Sequence, residues 1–268
     1  NVQSGQGDLG MMEIDNFSSA VVDYAQNSIS FNTARPTFGK SRIAGKADFK
    51  IGSFGTYLPA ARIDLKLSWK LSLSVNAAGI ISKGDFPVAD YGRRTNNDIR
   101  QIRTGINLFG SMKDGDYHLK AFCNVAERGT PGSVSWPSED RQKDMNTFVQ
   151  GVLKKSFSQL YTFHVSAKGS YDDIFYSSNW GSSRYGQTEF QLNTAHDFRI
   201  REWWKLTFAA DVIYDDLKSD MYEASRITAI SAIAASFRTD RFMANVALEY
   251  EGAFDRGGIS RNAFSPSA

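Results

Sequence analysis

The residues in this 268-residue sequence best suited to metal or acid–base chemistry are its three histidines, His118, His164 and His196. No H-x-x-x-H pair occurs, so a metal site would have to draw them from separate strands. His118 and His164 keep step with polar neighbours, and His196 lies near a predicted turn. No Ser–His–Asp or Cys–His set stands in a context that marks a nucleophile. The expectation is a non-enzyme without catalytic residues. Gly105-Ile106-Asn107-Leu108-Phe109-Gly110 reads as strand, whereas a phosphate-binding loop joins a strand to a helix. Cys123 is the single cysteine, so no internal disulfide can form. It keeps step with Leu119, Ala121 and Val125 and reads as a small apolar wall residue.

The polar loops offer more. Asp85, Asp90 and Asp98 fall on one predicted loop, 83–98, with Asn96 and Asn97 between. Their oxygens are the ligands that Ca²⁺ takes, although the D-x-D-x-D spacing of a calcium loop is absent and solvated carboxylates are the ordinary state of loop acids. Tyr91, Trp136, Phe175, Tyr176, Trp180 and Tyr185 put aromatic surface in the predicted loops, where a flat apolar ligand can stack. Arg93, Arg94, Arg128 and Arg141 offer charge to an anionic ligand or to lipopolysaccharide phosphates. The candidate ligand-binding residues are Asp85, Asp90, Tyr91, Arg128, Trp136, Tyr176 and Trp180. The candidate calcium ligands are Asp85, Asp90 and Asp98.

These loops hang on a repeating dyad. Tyr161, Phe163, Val165, Ala167, Gly169 and Tyr171 alternate with Thr162, His164, Ser166, Lys168, Ser170 and Asp172. Successive side chains of a strand point to opposite faces, so one face is apolar and the other wet. The same alternation recurs from residue 42 onward and predicts about eleven strands over 42–268. Short links fall near Lys70 and at 111–116, 154–159, 198–203 and 238–241. Longer polar links fall at 83–98, 126–144, 173–184, 216–224 and after Gly252, with a smaller loop at 54–60 on the same side. Alternating short turns and long loops mark an antiparallel up-and-down transmembrane β-barrel. Trp69, Tyr117, Tyr161, Trp203 and Trp204 sit beside short turns, and Tyr171, Tyr185, Tyr214 and Tyr250 near the other strand ends, as two membrane interfaces select.

Composition agrees. Aromatics make up 13% of the residues. Mean hydropathy is only −0.37, which a barrel tolerates because half of its wall residues face a polar lumen. Net charge is +2, with no basic block to suggest nucleic acid. Residues 1–41 break the pattern: Met11-Met12-Glu13-Ile14 and the short run Ile29-Ser30-Phe31 precede Pro36. They read as the end of a separate small domain.

Several segments resemble the TonB-dependent outer-membrane receptors. The resemblance rests on Met12-Glu13-Ile14-Asp15-Asn16, Ile29-Ser30-Phe31-Asn32-Thr33-Ala34-Arg35-Pro36 and Lys50-Ile51-Gly52-Ser53-Phe54-Gly55-Thr56-Tyr57. Asp85-Phe86-Pro87-Val88-Ala89-Asp90-Tyr91-Gly92, Arg128-Gly129-Thr130-Pro131-Gly132-Ser133-Val134, Asp140-Arg141-Gln142 and the C-terminal Asn262–Ala268 add to it. Within the family the sequence looks most like the vitamin B12 receptors of Bacteroidetes-type bacteria. The resemblance implies a partial chain: the end of a plug (1–41), then roughly the first half of a plugged wall of about 22 strands. It implies residence in the outer membrane of a Gram-negative bacterium, among its lipid and lipopolysaccharide. It also implies import of cobalamin or another corrinoid, with TonB as energy source and a surface lipoprotein as a further partner. A siderophore or haem receptor of the same family is the nearest alternative. A passive pore or barrel enzyme of about twelve strands is the alternative from another class.

Overall fold

The computed structural model describes residues 35–256 and 260–267; the predicted plug end before residue 35 lies outside them. The first strands are β1 (Ile43–Gly52), β2 (Thr56–Lys66) and β3 (Leu71–Ser82). Two short ones follow, β4 (Pro87–Val88) and β5 (Gly92–Arg93), then β6 (Ile99–Met112), β7 (Gly115–Gly132) and β8 (Pro137–Ser156). The remainder are β9 (Tyr161–Ser178), β10 (Gly181–Arg201), β11 (Trp204–Ser219), β12 (Glu223–Arg238), β13 (Met243–Asp255) and β14 (Ser260–Ser267). All but β4 and β5 form one 12-stranded sheet in which spatial order follows chain order, with β1 and β14 at its edges. Every described pairing is antiparallel. The all-β up-and-down architecture is thus the one that the dyad predicts.

Register converts the dyad into two continuous faces. On one, Ile106, Ala121, Val149, Gly169 and Phe190 stand side by side across β6 to β10, and Leu108, Leu119, Gly151, Ala167 and Leu192 form the adjacent row. On the other, Asn107, Lys120, Gln150, Lys168 and Gln191 make one row, and Arg103, Asn124, Asn146, Asp172 and Gln187 another. Burial is inverted relative to a water-soluble domain. Asn193 and Asp211, on the polar face, are 2% and 1% exposed, whereas Val149 and Phe190, on the apolar face, are 64% and 57% exposed. The small buried cluster Ala195, Ala209, Ile230 and Ala232 also lies on the polar face.

Several glycines in the wall have a packing reason. Tyr117 pairs with Gly110 and lays its ring over it, so that a Cβ there would sit 1.9 Å from the ring. Pro59 would ordinarily break an interior strand. Here the β2–β3 register skips from Tyr57↔Ile81 to Ala60↔Ala78. Gly79 leaves room for the proline ring, which would lie 3.3 Å from an added Cβ.

The strand count and the loops differ from expectation. The sheet holds twelve strands, not eleven, because β14 adds one where the sequence reads as either a long loop or the start of a new strand. The predicted loop 54–60 shrinks to a turn at 53–55 in which Phe54 and Gly55 have φ of 58° and 65°. The predicted loops 126–144, 173–184 and 216–224 are mostly strand: β7 runs to Gly132, β9 to Ser178 and β11 to Ser219. Polar side chains occur on both faces there, and Ile174 and Leu217 fall out of phase with the apolar face, so the alternation fades while the backbone ladder continues. Among the described residues only 83–98 remains a long connection, and β4 and β5 pair within it. Tyr185, assigned to the aromatic rim, pairs with Ile174 and Ser219 on the polar side instead.

Overpacking a filled site costs about 1–3 kcal/mol. Gly110→Val should therefore lower the thermal unfolding midpoint of the full-length protein, because Tyr117 already fills the space. Gly39→Ala, with nothing within 4 Å of the added carbon, should leave the midpoint unchanged.

Candidate functional site

The strand ends opposite the short turns carry the polar and aromatic groups that could meet a ligand. Trp136 stands at the tip between β7 and β8 and is 83% exposed; Trp180 stands at the tip between β9 and β10 and is 98% exposed. Tyr91 lies in the β4–β5 turn, where its amide donates to the Val88 carbonyl at 3.2 Å, and Asp90 holds φ 66° beside it. Met221 and Tyr222, at the tip between β11 and β12, are exposed too. Sequence reasoning missed this last pair, although two large apolar residues inside a Ser219–Glu223 turn were a readable signal.

Beneath the tips the charged side chains are tied together. The Arg141 guanidinium donates to both carboxylate oxygens of Asp98, at 2.7 and 3.0 Å, and to Glu127 at 3.3 Å. Asn96, with φ 49°, donates to the carbonyls of Ser138 and Asp140 at 2.9 and 2.8 Å. The Gly129 amide donates to the Asp98 carbonyl at 2.9 Å, and a Cβ on Gly129 would strike the Asn96 carbonyl. The end of the long loop is thus strapped across β7 and β8. The Arg141 hydrogen bond holds the Asp98 carboxyl below its ordinary value and raises the arginine further. Tyr176 donates to Asp140, which lowers the carboxyl and raises the phenol.

The candidate ligand set splits accordingly. Tyr91, Trp136 and Trp180 are exposed at tips. Arg128 contacts Asp144 at 3.3 Å on the polar face, and Tyr176 is engaged by Asp140. Asp85 pairs with Arg93 at 3.1 Å. Arg94 donates to the carbonyls of Ser133 and Gly132. The three candidate calcium ligands are not brought together, and among the described residues no group of three or more His, Cys, Asp or Glu is placed to hold a metal ion.

The histidines separate as well. His118 stacks on Phe109, with ring centroids 4.4 Å apart, and contacts Asn107 at 3.1 Å; His164 lies 3.4 Å from Asp197. Both are on the polar face, as their phase predicts. His196 is on the apolar face, where its Nδ1 lies 2.9 Å from the Tyr161 hydroxyl.

A polar ladder on the polar face of the sheet was not foreseen as a unit. Gln101 donates to Asn124 at 2.6 Å, Asn124 to Asn146 at 2.9 Å and Asn146 to Asp172 at 2.8 Å. It crosses β6 to β9 and binds the wall's polar face together below the rim. Each residue shows in the sequence only as a polar member of its own dyad.

No protein-family model matches the sequence, and no curated protein matches it. Solved structures do. The iron transporter FrpB from Neisseria meningitidis matches with a TM-score of 0.67 at 11% identity, covering 84% of this chain and 43% of that one. The copper transporter OprC gives 0.67 at 12%, covering 87% and 42%. The siderophore receptor PiuA from Acinetobacter baumannii gives 0.62 at 9%, covering 85% and 46%. At these identities the likeness shows the fold, an antiparallel β-barrel wall. The chain spans less than half the length of the structures it matches.

The strap sets a pH window. Asp98 is depressed in the fold, so its contribution is present above the unfolded value of about 4 and is lost as pH falls through the lower, folded value. Both partners are partly solvent-exposed, so the pair is worth about 1 kcal/mol or less. Arg141→Ala should lower the hydrogen-exchange protection factor of the Gly129 amide at neutral pH, and acidification should lower it in the wild type when exchange is referred to the unfolded-chain rate at the same pH. Because Arg93 and Arg141 already neutralise Asp85 and Asp98, chelation with EDTA should leave the thermal midpoint unchanged.

Proposed function

We propose that this chain forms part of the wall of a TonB-dependent receptor in the outer membrane of a Gram-negative bacterium, and that the receptor captures and imports a metal chelate. The observation that carries this reading is the inverted burial. Large apolar side chains stand exposed in continuous rows, and buried polar ones line the opposite face. Water would disfavour such a surface, while a bilayer requires it. Aromatic groups border the apolar band near the short turns: Trp203, Trp204 and Phe237 stack there, as do Tyr161 and Phe198. Tyr171, Tyr214 and Tyr250 border it near the other end.

The chelate is proposed to be cobalamin or another corrinoid, on the sequence resemblance of the loops and strand starts. Trp136, Trp180 and Tyr91 would stack on the flat macrocycle from the rim, and the polar ladder would face its path through the lumen. Capture needs no covalent chemistry: the rim binds, and energy supplied through TonB releases. A siderophore or haem ligand is the second reading, favoured by the similar fold of an iron transporter and a siderophore receptor. The corrinoid reading does not depend on calcium: an ion in the outer loops would require Asp85 and Asp98 to exchange their arginine partners for it.

The full-length protein in detergent, titrated with cyanocobalamin, haem and ferric siderophores, tests the assignment. Cyanocobalamin should quench tryptophan fluorescence saturably, and Trp136→Ala with Trp180→Ala should weaken binding about ten-fold, the loss of about 1.4 kcal/mol of stacking. Saturable binding of a siderophore with none of cyanocobalamin would replace the corrinoid by the second reading.

A further inference from the structure

The apolar face is not smooth. Between β6 and β10 it carries a groove of about 480 Å³. Ile106, Tyr171 and Phe190 stand around it, and Ala121, Cys123 and Gly169 form its low floor. Phe122, Phe148 and Ser170 also line it, but their side chains belong to the opposite face, so they contribute main chain. A run of small residues flanked by large ones thus leaves a furrow in the surface proposed to meet lipid.

Charge lies directly above the furrow on the same face. Register places Arg100, Glu127 and Lys143 side by side, and Asp98, Asp173, Arg141 and Arg184 around them. Five of these are satisfied by one another. Arg141 holds Asp98 and Glu127 at 2.7 and 3.3 Å, and Arg184 holds Asp173 at 2.7 Å. Arg100 and Lys143 are both exposed and have no ion-pair partner within 4 Å among the described residues. Arg100 precedes the groove residue Thr104 by about 13 Å of strand.

We infer that this groove and the cations above it form a specific site for one anionic, phosphate-bearing lipid. An acyl chain lies in the furrow, and its phosphate is held by Arg100 and Lys143. The charge pattern favours this occupant: an amphiphile with an anionic head matches two cations, above an apolar trench, that no carboxylate among the described residues holds within 4 Å, and a bare apolar helix would leave them unmatched. The inference rests on the membrane reading above. The long-loop end would face the outer leaflet, where phosphorylated lipid A supplies such a head.

The test uses the full-length protein in detergent, with lipid A carrying both phosphates and fully dephosphorylated lipid A as probes, followed by native mass spectrometry. One phosphorylated lipid should remain bound per chain. Arg100→Ala with Lys143→Ala should weaken its retention at least ten-fold and leave the dephosphorylated form unaffected. Ala121→Leu, which fills the floor from the outside, should weaken both. Equal retention by the wild type and all variants would overturn the inference, and so would a lipid-free dimer that Ala121→Leu dissociates. Membrane fractionation keeps the two ideas apart. A protein absent from the outer-membrane fraction sinks the proposed function. A correctly located, ligand-binding protein whose variants retain lipid A like the wild type sinks only the lipid site.

Discussion

Everything in this molecule depends on the backbone ladder that joins each strand to the next. A strand in an apolar medium cannot leave its N–H and C=O groups to water, so each must find a partner on the next strand. From β1 to β14, omitting the small pair β4 and β5, every strand is hydrogen-bonded to its neighbour in chain order. The ladder dictates the short turns, the strict meander and the register that lines up the rows on each face. It also explains the tolerance for glycine. Gly110, Gly151 and Gly169 contribute backbone to the ladder while a neighbouring Tyr117, Leu119 or Phe190 covers the space above each one.

Once the ladder is fixed, the two faces solve different problems. The apolar face needs no internal packing, since its proposed surroundings supply contact with lipid, and so it can stay exposed. The polar face has to satisfy its own groups. It does so with crosswise bonds such as Asn124 to Asn146 to Asp172, with Lys168 held 3.1 Å from Glu189, and with Lys120 and Lys168 above the Phe148 ring. Ser166 Oγ and both side-chain polar atoms of Asn193 are buried without a hydrogen-bond partner among the described residues. They stand in adjacent strands. Such groups are costly when left alone, which fits a face designed to be covered by further polar structure or ordered water.

Beyond the apolar band both faces are wet, and a different logic takes over. The strands continue as hairpins, and their charges pair: Arg226 with Asp255, Arg184 with Asp173, Arg141 with Asp98. Each exposed pair contributes little stability alone. Together they fix where the tips stand, and they use up arginines and aspartates that would otherwise be free for a ligand. What remains available at the tips is aromatic, which is why the proposed capture relies on Trp136, Trp180 and Tyr91 rather than on charge.

The sequence by itself determined the dyad, and with it the all-β class, the phase of each strand and the assignment of His118, His164 and Cys123 to their faces. Period-two alternation is a local property of the chain, and solvent contrast across the sheet imprints it residue by residue. The same signal misjudged the strand ends, because alternation reports contrast between two media and falls silent where both sides are water. Hence 126–144 reads as loop although Asn124 to Arg141 lies almost wholly in paired strand. Register decided the rest. Only cross-strand pairing could bring Asp98 to Arg141, 43 residues away, set Gln101, Asn124, Asn146 and Asp172 in one line, turn Tyr185 to the polar face, or gather Ala121, Cys123 and Gly169 into a furrow. Those neighbours are separated by whole strands in the chain, and no local pattern encodes which residue of one strand will stand opposite which residue of the next.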